Sequence, residues 1–188
     1  MPDIRPPMPA EATAQLRRAL PGDVPALQAL IQRSGRELSA PFYTPAQAEA
    51  ITRHVFGVDS QLIADETYFL VEEEHRLVAC GGWSRRRTLF GGDQAKAGPD
   101  PLLDPLTEPA RIRAFFVEPG MARRGLGRRL MAACVKEARA NGFSSLELAS
   151  TLPGEPLYLA TGFTVLERFD LELPGGIRVP LSRMRRDL

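Results

Sequence analysis

"FFVEPGMARRGLGRRLM", residues 115–131, joins an apolar run to a helix-like segment through a turn that holds Pro119, Gly120, Gly125 and Gly127. Pro119 has no N–H to give to a ladder, so the strand before it ends there. From Gly125 to Asn141 the apolar residues Leu126, Leu130, Met131, Cys134, Val135 and Ala138 recur at helical spacing, and Gly142 suits the position just past the end. A strand that passes through a glycine turn into a helix leaves main-chain N–H groups unpaired and pointing one way. With the helix dipole they form a site for phosphate oxygens. Gly125 and Gly127 let a ligand approach with no Cβ in its way, while Arg123, Arg124, Arg128 and Arg129 add positive charge.

Two familiar phosphate turns do not fit. The nucleoside-triphosphate loop requires Lys after its second glycine, and Gly125 is followed by Leu126. The dinucleotide fingerprint requires a third glycine where Leu130 stands.

Outward from the turn, the pattern is of strands and helices in alternation. Thr13 to Leu20 can form a first strand, although its composition also suits a helix. "PGDVPALQALIQRSGREL" reads as a helix capped by Asp23, with Pro25 in its first turn and Leu27, Leu30, Ile31 and Leu38 on one face. A second helix, capped by Thr44, buries Ala48, Ile51 and Val55. Tyr68 to Glu72 and Arg76 to Gly82 form an antiparallel hairpin with a charged turn at Glu73 to His75, and the Glu72 to Glu74 run is read as its solvated tip. Residues 88–108, rich in Gly, Pro and Asp, form a long loop that suits a lid or a substrate wall. After the strand "ARIRAFFV" and the glycine-turn helix come the strand "FSSLELAS", a short helix in "PGEPLYLAT", and two strands joined by a Pro-Gly-Gly turn. This order describes a mixed sheet covered by helices, an α+β chain with a single domain over 13–188 and an extension over 1–12.

With 24 basic against 23 acidic residues the net charge is +1, so no global field draws the protein to nucleic acid or a membrane surface, and an anion site must be local. Cys80 and Cys134 sit in apolar contexts without ligand-spaced partners, which fits core thiols in a cytoplasmic protein and no metal. The N-terminus lacks the apolar stretch of a signal peptide, and no run is long enough to span a bilayer.

"VEPGMARRGLGRRLM" resembles motif A of the GNAT superfamily of acetyl-CoA-dependent N-acyltransferases, V-x-P followed by [RQ]-x-x-G-x-[GA] and an amphipathic helix. Val117, Glu118 and Pro119 take the first positions, Gly125 and Gly127 the glycine positions, and Ala122 falls where Arg or Gln is usual. Downstream, "TLPGEPLYLATGF" resembles motif B: Tyr158, Gly162 and Phe163 match, while Thr151 and Gly154 replace Asn and Ala. The resemblance implies a mostly antiparallel sheet of six or seven strands, helices on both faces, and a central parallel pair that splays apart.

It also implies the chemistry: an amine attacks the thioester of acetyl-CoA directly, with no covalent enzyme intermediate and no metal. The coenzyme would be held by Phe115, Phe116 and Val117 of the strand, by Ala122, Arg123, Arg124, Gly125, Leu126, Gly127 and Arg128 of the turn, and by Thr151 and Tyr158. The amide of Val117 or Phe116 would lie nearest the carbonyl. Tyr158 matches the family tyrosine that serves as acid toward the departing thiolate. The general base is unassigned: some members carry a glutamate early in the strand, where this chain has Arg111, Ile112 and Arg113. Glu118, Glu147, Glu155 and His54 qualify by residue type only. For the acceptor side, "GGWSRRRTLFGGD" offers Trp83 as an apolar wall and Arg85 as a partner for a substrate carboxylate, with Arg113 as a further candidate. The expected partners are acetyl-CoA and an unidentified amine, with a homodimer possible through the C-terminal strands. The alternative reading is an acyl-CoA-binding sensor of the same fold.

Overall fold

Tyr68–Glu73 (β2) shows why the molecule is layered: Tyr68, Phe69, Leu70 and Val71 are all buried, so both faces of this strand are covered. Phe69 and Val71 belong to one core cluster, Tyr68 and Leu70 to a second on the opposite face. The structure, a computed structural model, describes residues 14–188; the extension at 1–12, together with Thr13, lies outside the described residues.

The remaining strands are β1 (Gln15–Arg18), β3 (Arg76–Ser84), β4 (Ala110–Val117), β5 (Ser145–Thr151), β6 (Thr164–Leu173) and β7 (Ile177–Asp187). Together the described residues make one seven-stranded sheet in the order β1-β2-β3-β4-β5-β7-β6. All neighbours are antiparallel except β4 and β5, as the resemblance implies. That parallel pair is in register only at Ala110 with Leu146 and Arg111 with Glu147; beyond these the strands part. β4 continues along β3 and β5 along β7, so the ladders on either side hold the gap open.

A bulge accompanies the parting. The β3–β4 register shifts between Cys80 and Gly82, and Ala114 of β4 is left with φ of 53°, a left-handed conformation uncommon outside glycine. The Tyr68 hydroxyl lies 3.3 Å and the Cys80 thiol 3.7 Å from the Ala114 carbonyl oxygen, which pins the distortion from below. Opposite it, Phe115 lies over Gly81, where a Cβ would sit 2.6 Å from the ring.

The helices α1 (Val24–Ser39), α2 (Pro45–His54) and α3 (Ser60–Ala64) serve the Tyr68 face, and α4 (Leu126–Ala140) covers the Phe69 face. α5 (Glu155–Leu159) follows β5. Thr44 caps α2 as expected, with its hydroxyl accepting the Gln47 N–H at 3.3 Å and the Gln47 side chain returning to Thr44 N at 3.1 Å. Asp23 does not cap α1. A 3-10 turn over Pro21–Asp23 folds its carboxylate back onto the Leu20 N–H at 2.7 Å and the Arg17 guanidinium at 2.8 Å. Nor is Glu72 merely solvated at the hairpin tip, since it holds Arg17 from the other side at 2.9 Å.

The 88–108 stretch is irregular, as read from its composition, but it is fastened. It carries a 3-10 turn at Asp93–Ala95, buries Leu103, and forms an isolated bridge between Arg86 and Leu102. At its root Arg86 makes a two-pronged contact with Asp65, 2.7 and 2.9 Å, and donates to the Asp100 carbonyl at 3.0 Å. The last two strands pair within the chain, with β7 lodged between β5 and β6.

Candidate active site

The gap between β4 and β5 opens into a cleft of about 660 Å³. One rim is the turn that opens α4. Gly125 is the N-cap residue with φ of 84°, a conformation that favours glycine, and a Cβ there would meet nothing within 4 Å. Among the described residues, the main-chain N–H groups of Arg123 to Arg128 have no hydrogen-bond partner; the first amide satisfied inside the helix frame is that of Arg129, to Gly125 O at 3.1 Å. Six successive free donors beside a helix N-terminus are an arrangement that suits an anion. The turn residues Ala122, Arg123, Gly125, Leu126, Gly127 and Arg128 all line the cleft.

The two glycines differ in purpose. Gly127 is buried, and a Cβ on it would stand 2.7 Å from Leu157 Cδ2, so its missing side chain also makes room for α5. Arg123, Arg124 and Arg128 are exposed; Arg124 lies 3.7 Å from Glu73 and is outside the cleft lining.

β4 supplies the floor. Phe115 and Phe116 point to opposite faces, as strand alternation requires: Phe116 meets Phe56 edge-on at 5.2 Å, and Phe115 meets Tyr158 at 6.2 Å. Of the two amides named from the sequence, that of Val117 reaches a cleft-lining group, donating to Ser34 Oγ at 3.3 Å. Phe116 faces Cys80 in the β3 ladder instead. Ser34 was not singled out from sequence, although a hydroxyl within the apolar stripe Leu27, Leu30, Ile31 and Leu38 was the available signal.

Thr151, at the end of β5, and Tyr158, on α5, close the other side. Tyr158 is wedged between Phe115 and Phe163, the latter at 5.8 Å, and is only 9% exposed. Its hydroxyl has no hydrogen-bond partner among the described residues although the side chain lines the cleft. Burial, with Cys134 contributing less, pushes the phenol well above the ordinary tyrosine range, so it stays protonated and able to donate.

The acceptor-side assignments fare differently. Trp83 is 1% exposed, packs edge-on against Phe143 at 6.0 Å and donates its indole N–H to Glu137 of α4 at 3.0 Å. It therefore lies on the α4 face and does not line the cleft. Arg85 donates to the Asp65 carbonyl at 3.1 Å and is likewise outside the lining. Arg113 does border the cleft, but its guanidinium is engaged: Asp59 at 2.8 Å, Thr88 O at 2.8 Å and Gly91 O at 2.6 Å. Arg113 and Asp59 are buried, and Lys96 pairs with Asp59 from the loop. Burial lowers the Arg113 pKa, opposed chiefly by the Asp59 charge. This arginine ties the 88–91 wall to β4, and its charge is already matched by Asp59.

The residues considered for a base are held in ion pairs or lie off the cleft. Glu118 pairs with Arg33 at 2.8 Å, Glu147 with Arg183 at 2.8 Å and Arg111 at 3.0 Å, and Glu155 with Arg168 at 2.7 Å. The Arg168 contact holds the Glu155 carboxyl below its usual range. His54 is half-buried and not part of the lining. Among the described residues no group of three or more His, Cys, Asp and Glu is arranged to hold a metal ion, and no helix is long and apolar enough to cross a membrane.

Comparison with known proteins places this geometry in context. A model of the acetyltransferase (GNAT) family matches residues 32–163. Curated protein sequences give no match. Among solved structures, a GCN5-related N-acetyltransferase from Rhodopseudomonas palustris is 19% identical with a TM-score of 0.67, over 97% of this chain and 100% of that one. The PaiA N-acetyltransferase of Thermoplasma acidophilum, in complex with coenzyme A, is 12% identical with a TM-score of 0.62, over 94% and 99% of the two chains. The ribosomal-protein-S18-alanine N-acetyltransferase of Escherichia coli is 16% identical with a TM-score of 0.58, over 93% and 94%. At these identities the likeness is one of fold.

Proposed function

The chain belongs to the acetyltransferase (GNAT) family, and on that premise we propose that it transfers an acetyl group from acetyl-CoA to the nitrogen of an amine. The observation that carries this reading is the row of unpartnered amides from Arg123 to Arg128, opening on the same cleft as Tyr158. A row of donors at a helix start suits the pyrophosphate of coenzyme A, and the apolar gap between β4 and β5 suits its pantetheine arm. Acetyl-CoA supplies the reaction with an activated acyl carbon in its thioester.

The protein's own residues do three things in this mechanism. The turn 122–128 grips the phosphates, chiefly through main chain. The Val117 amide, which donates to Ser34 Oγ on the cleft side of β4, would exchange that acceptor for the acyl oxygen and so stabilise the charge developing there. Tyr158 stays neutral in its aromatic surround and offers a hydrogen to the sulfur as it leaves.

A second reading, an acyl-CoA-binding module without turnover, draws support from the lack, among the described residues, of any carboxylate or histidine lining the cleft. Calorimetry with acetyl-CoA and a thiol-release assay over a panel of amines separate the two. Binding together with release on at least one amine supports the transferase; binding without release on any amine sinks it.

A further inference from the structure

The acceptor half of the cleft is built without an acid or a base. Its walls are Leu38 and Phe42, Ile51 and Val55, Phe56 and, from the fastened loop, Phe90. Among the described residues, the ionisable side chains that line the whole cleft are Arg113, Arg123, Arg128 and Tyr158; no Asp, Glu, His, Lys or Cys does so. Arg113 is neutralised by Asp59, and Arg123 and Arg128 belong to the phosphate turn. The carboxylates next to lining residues are turned elsewhere. Asp59 is held by Arg113 and Lys96, Asp93 accepts the Ser60 N–H at 3.1 Å, and Glu118 and Glu155 are in ion pairs. Glu37, beside Leu38, is exposed and outside the lining, as is the half-buried His54 beside Val55.

We infer that the acceptor is an uncharged, apolar amine of the aromatic-amine class, and that alkylammonium and polyamine acceptors are excluded by the charge balance of the cleft. The inference rests on the N-acetyltransferase reading and deepens it. An ammonium group entering this space gives up its water with no carboxylate to replace it. It must also shed a proton before its lone pair can attack, and at pH 7 only about one lysine-like amine in two or three thousand is neutral.

Proton balance points the same way. As the nitrogen lone pair forms the N–C bond, the C–S bond breaks and its electron pair goes to sulfur. One proton leaves nitrogen and one is taken up by sulfur, so a neutral amine carries the proton that the thiolate needs, and Tyr158 can relay it. An ammonium carries one more, which needs an acceptor that the lining does not provide. The missing base then follows from the substrate and is no sign of lost activity.

The test uses the purified full chain, acetyl-CoA and two isomeric amines of equal size, 4-methylaniline and benzylamine, with spermidine as a polycation. The expected result is a kcat/KM for 4-methylaniline at least about tenfold above that for benzylamine at pH 7. It should be flat with pH, whereas that of benzylamine should rise about tenfold per pH unit below its pKa. A preference for benzylamine or spermidine at pH 7 overturns the inference and leaves the transferase reading standing. Acetyl-CoA binding with no thiol release on any of an extended amine panel overturns both. Leu38→Glu, which puts a carboxylate into the apolar wall, should shift the ratio toward benzylamine. An unchanged ratio in a folded variant that still binds acetyl-CoA also counts against the inference, and the panel on the unaltered protein decides the matter if the variant does not fold.

Discussion

Gly127, in the first turn of α4, lies against Leu157 of α5 so closely that a Cβ would sit 2.7 Å from the Leu157 side chain, whereas a Cβ on Gly125 would meet open space. Alanine at the two positions therefore has different effects. Gly127→Ala crowds the terminal methyls of Leu157, which turn aside at small cost, so stability should change by about 1 kcal/mol or less while the contact beside Tyr158 is disturbed and turnover falls more than acetyl-CoA affinity. Gly125→Ala strains a left-handed residue by about 1–2 kcal/mol and disturbs the amide row, so affinity falls first. Calorimetry and steady-state kinetics on the pair check the split; equal effects on both parameters in both variants would refute it.

Tyr158→Phe keeps the contacts with Phe115 and Phe163 and removes only the hydroxyl. Turnover should drop by about a hundredfold or more, with the acetyl-CoA dissociation constant nearly unchanged. An active Phe variant with a competent amine would remove Tyr158 from the chemistry.

Asp59→Asn leaves the Arg113 guanidinium buried without its counterion. The expected loss is about 3–5 kcal/mol in urea denaturation, accompanied by easier proteolysis of the 88–108 loop that Arg113 and Lys96 hold. A loss below about 1 kcal/mol would mean that the pair does not anchor the wall.

Alanine at both Arg123 and Arg124 should weaken acetyl-CoA binding by less than about tenfold at low ionic strength. The deficit should shrink in about 1 M salt, where exposed charges are screened within about 3 Å. A large, salt-insensitive loss would show that these side chains compensate for Ala122, and that the main chain is not enough.

Asp65 is held below its usual carboxyl range first by the Arg86 hydrogen bonds, against the opposing effect of burial. Because its folded pKa is depressed, the stability it gives is fully present above its unfolded value of 3.8 and is lost as pH falls through the lower, folded one. The stability difference between the native protein and Asp65→Asn should be constant above about pH 5 and shrink in more acid solution. A difference that grows on acidification has the wrong sign for this linkage.

What could be read from the chain beforehand follows from which interactions are local. The α4 periodicity, the Thr44 cap and the glycine turn depend on neighbours within a few residues, and each appears where the pattern placed it. The Asp59–Arg113 pair joins residues 54 apart in sequence, and no local period marks it. Trp83 illustrates a different limit. Alternation puts it on the face opposite Cys80, but which face carries the cleft depends on where the helices settle. The five-residue helix α3 was too short to show a period.

The sheet order also sets a timetable for the nascent chain. β6 leaves the ribosome before β7, yet it touches the sheet only through β7. Until residues 177–187 are made, β5 has an unpaired outer edge and β6 has nowhere to dock. Truncation of this one strand should therefore expose sticky edges on both neighbours and favour inclusion bodies over a merely less active protein.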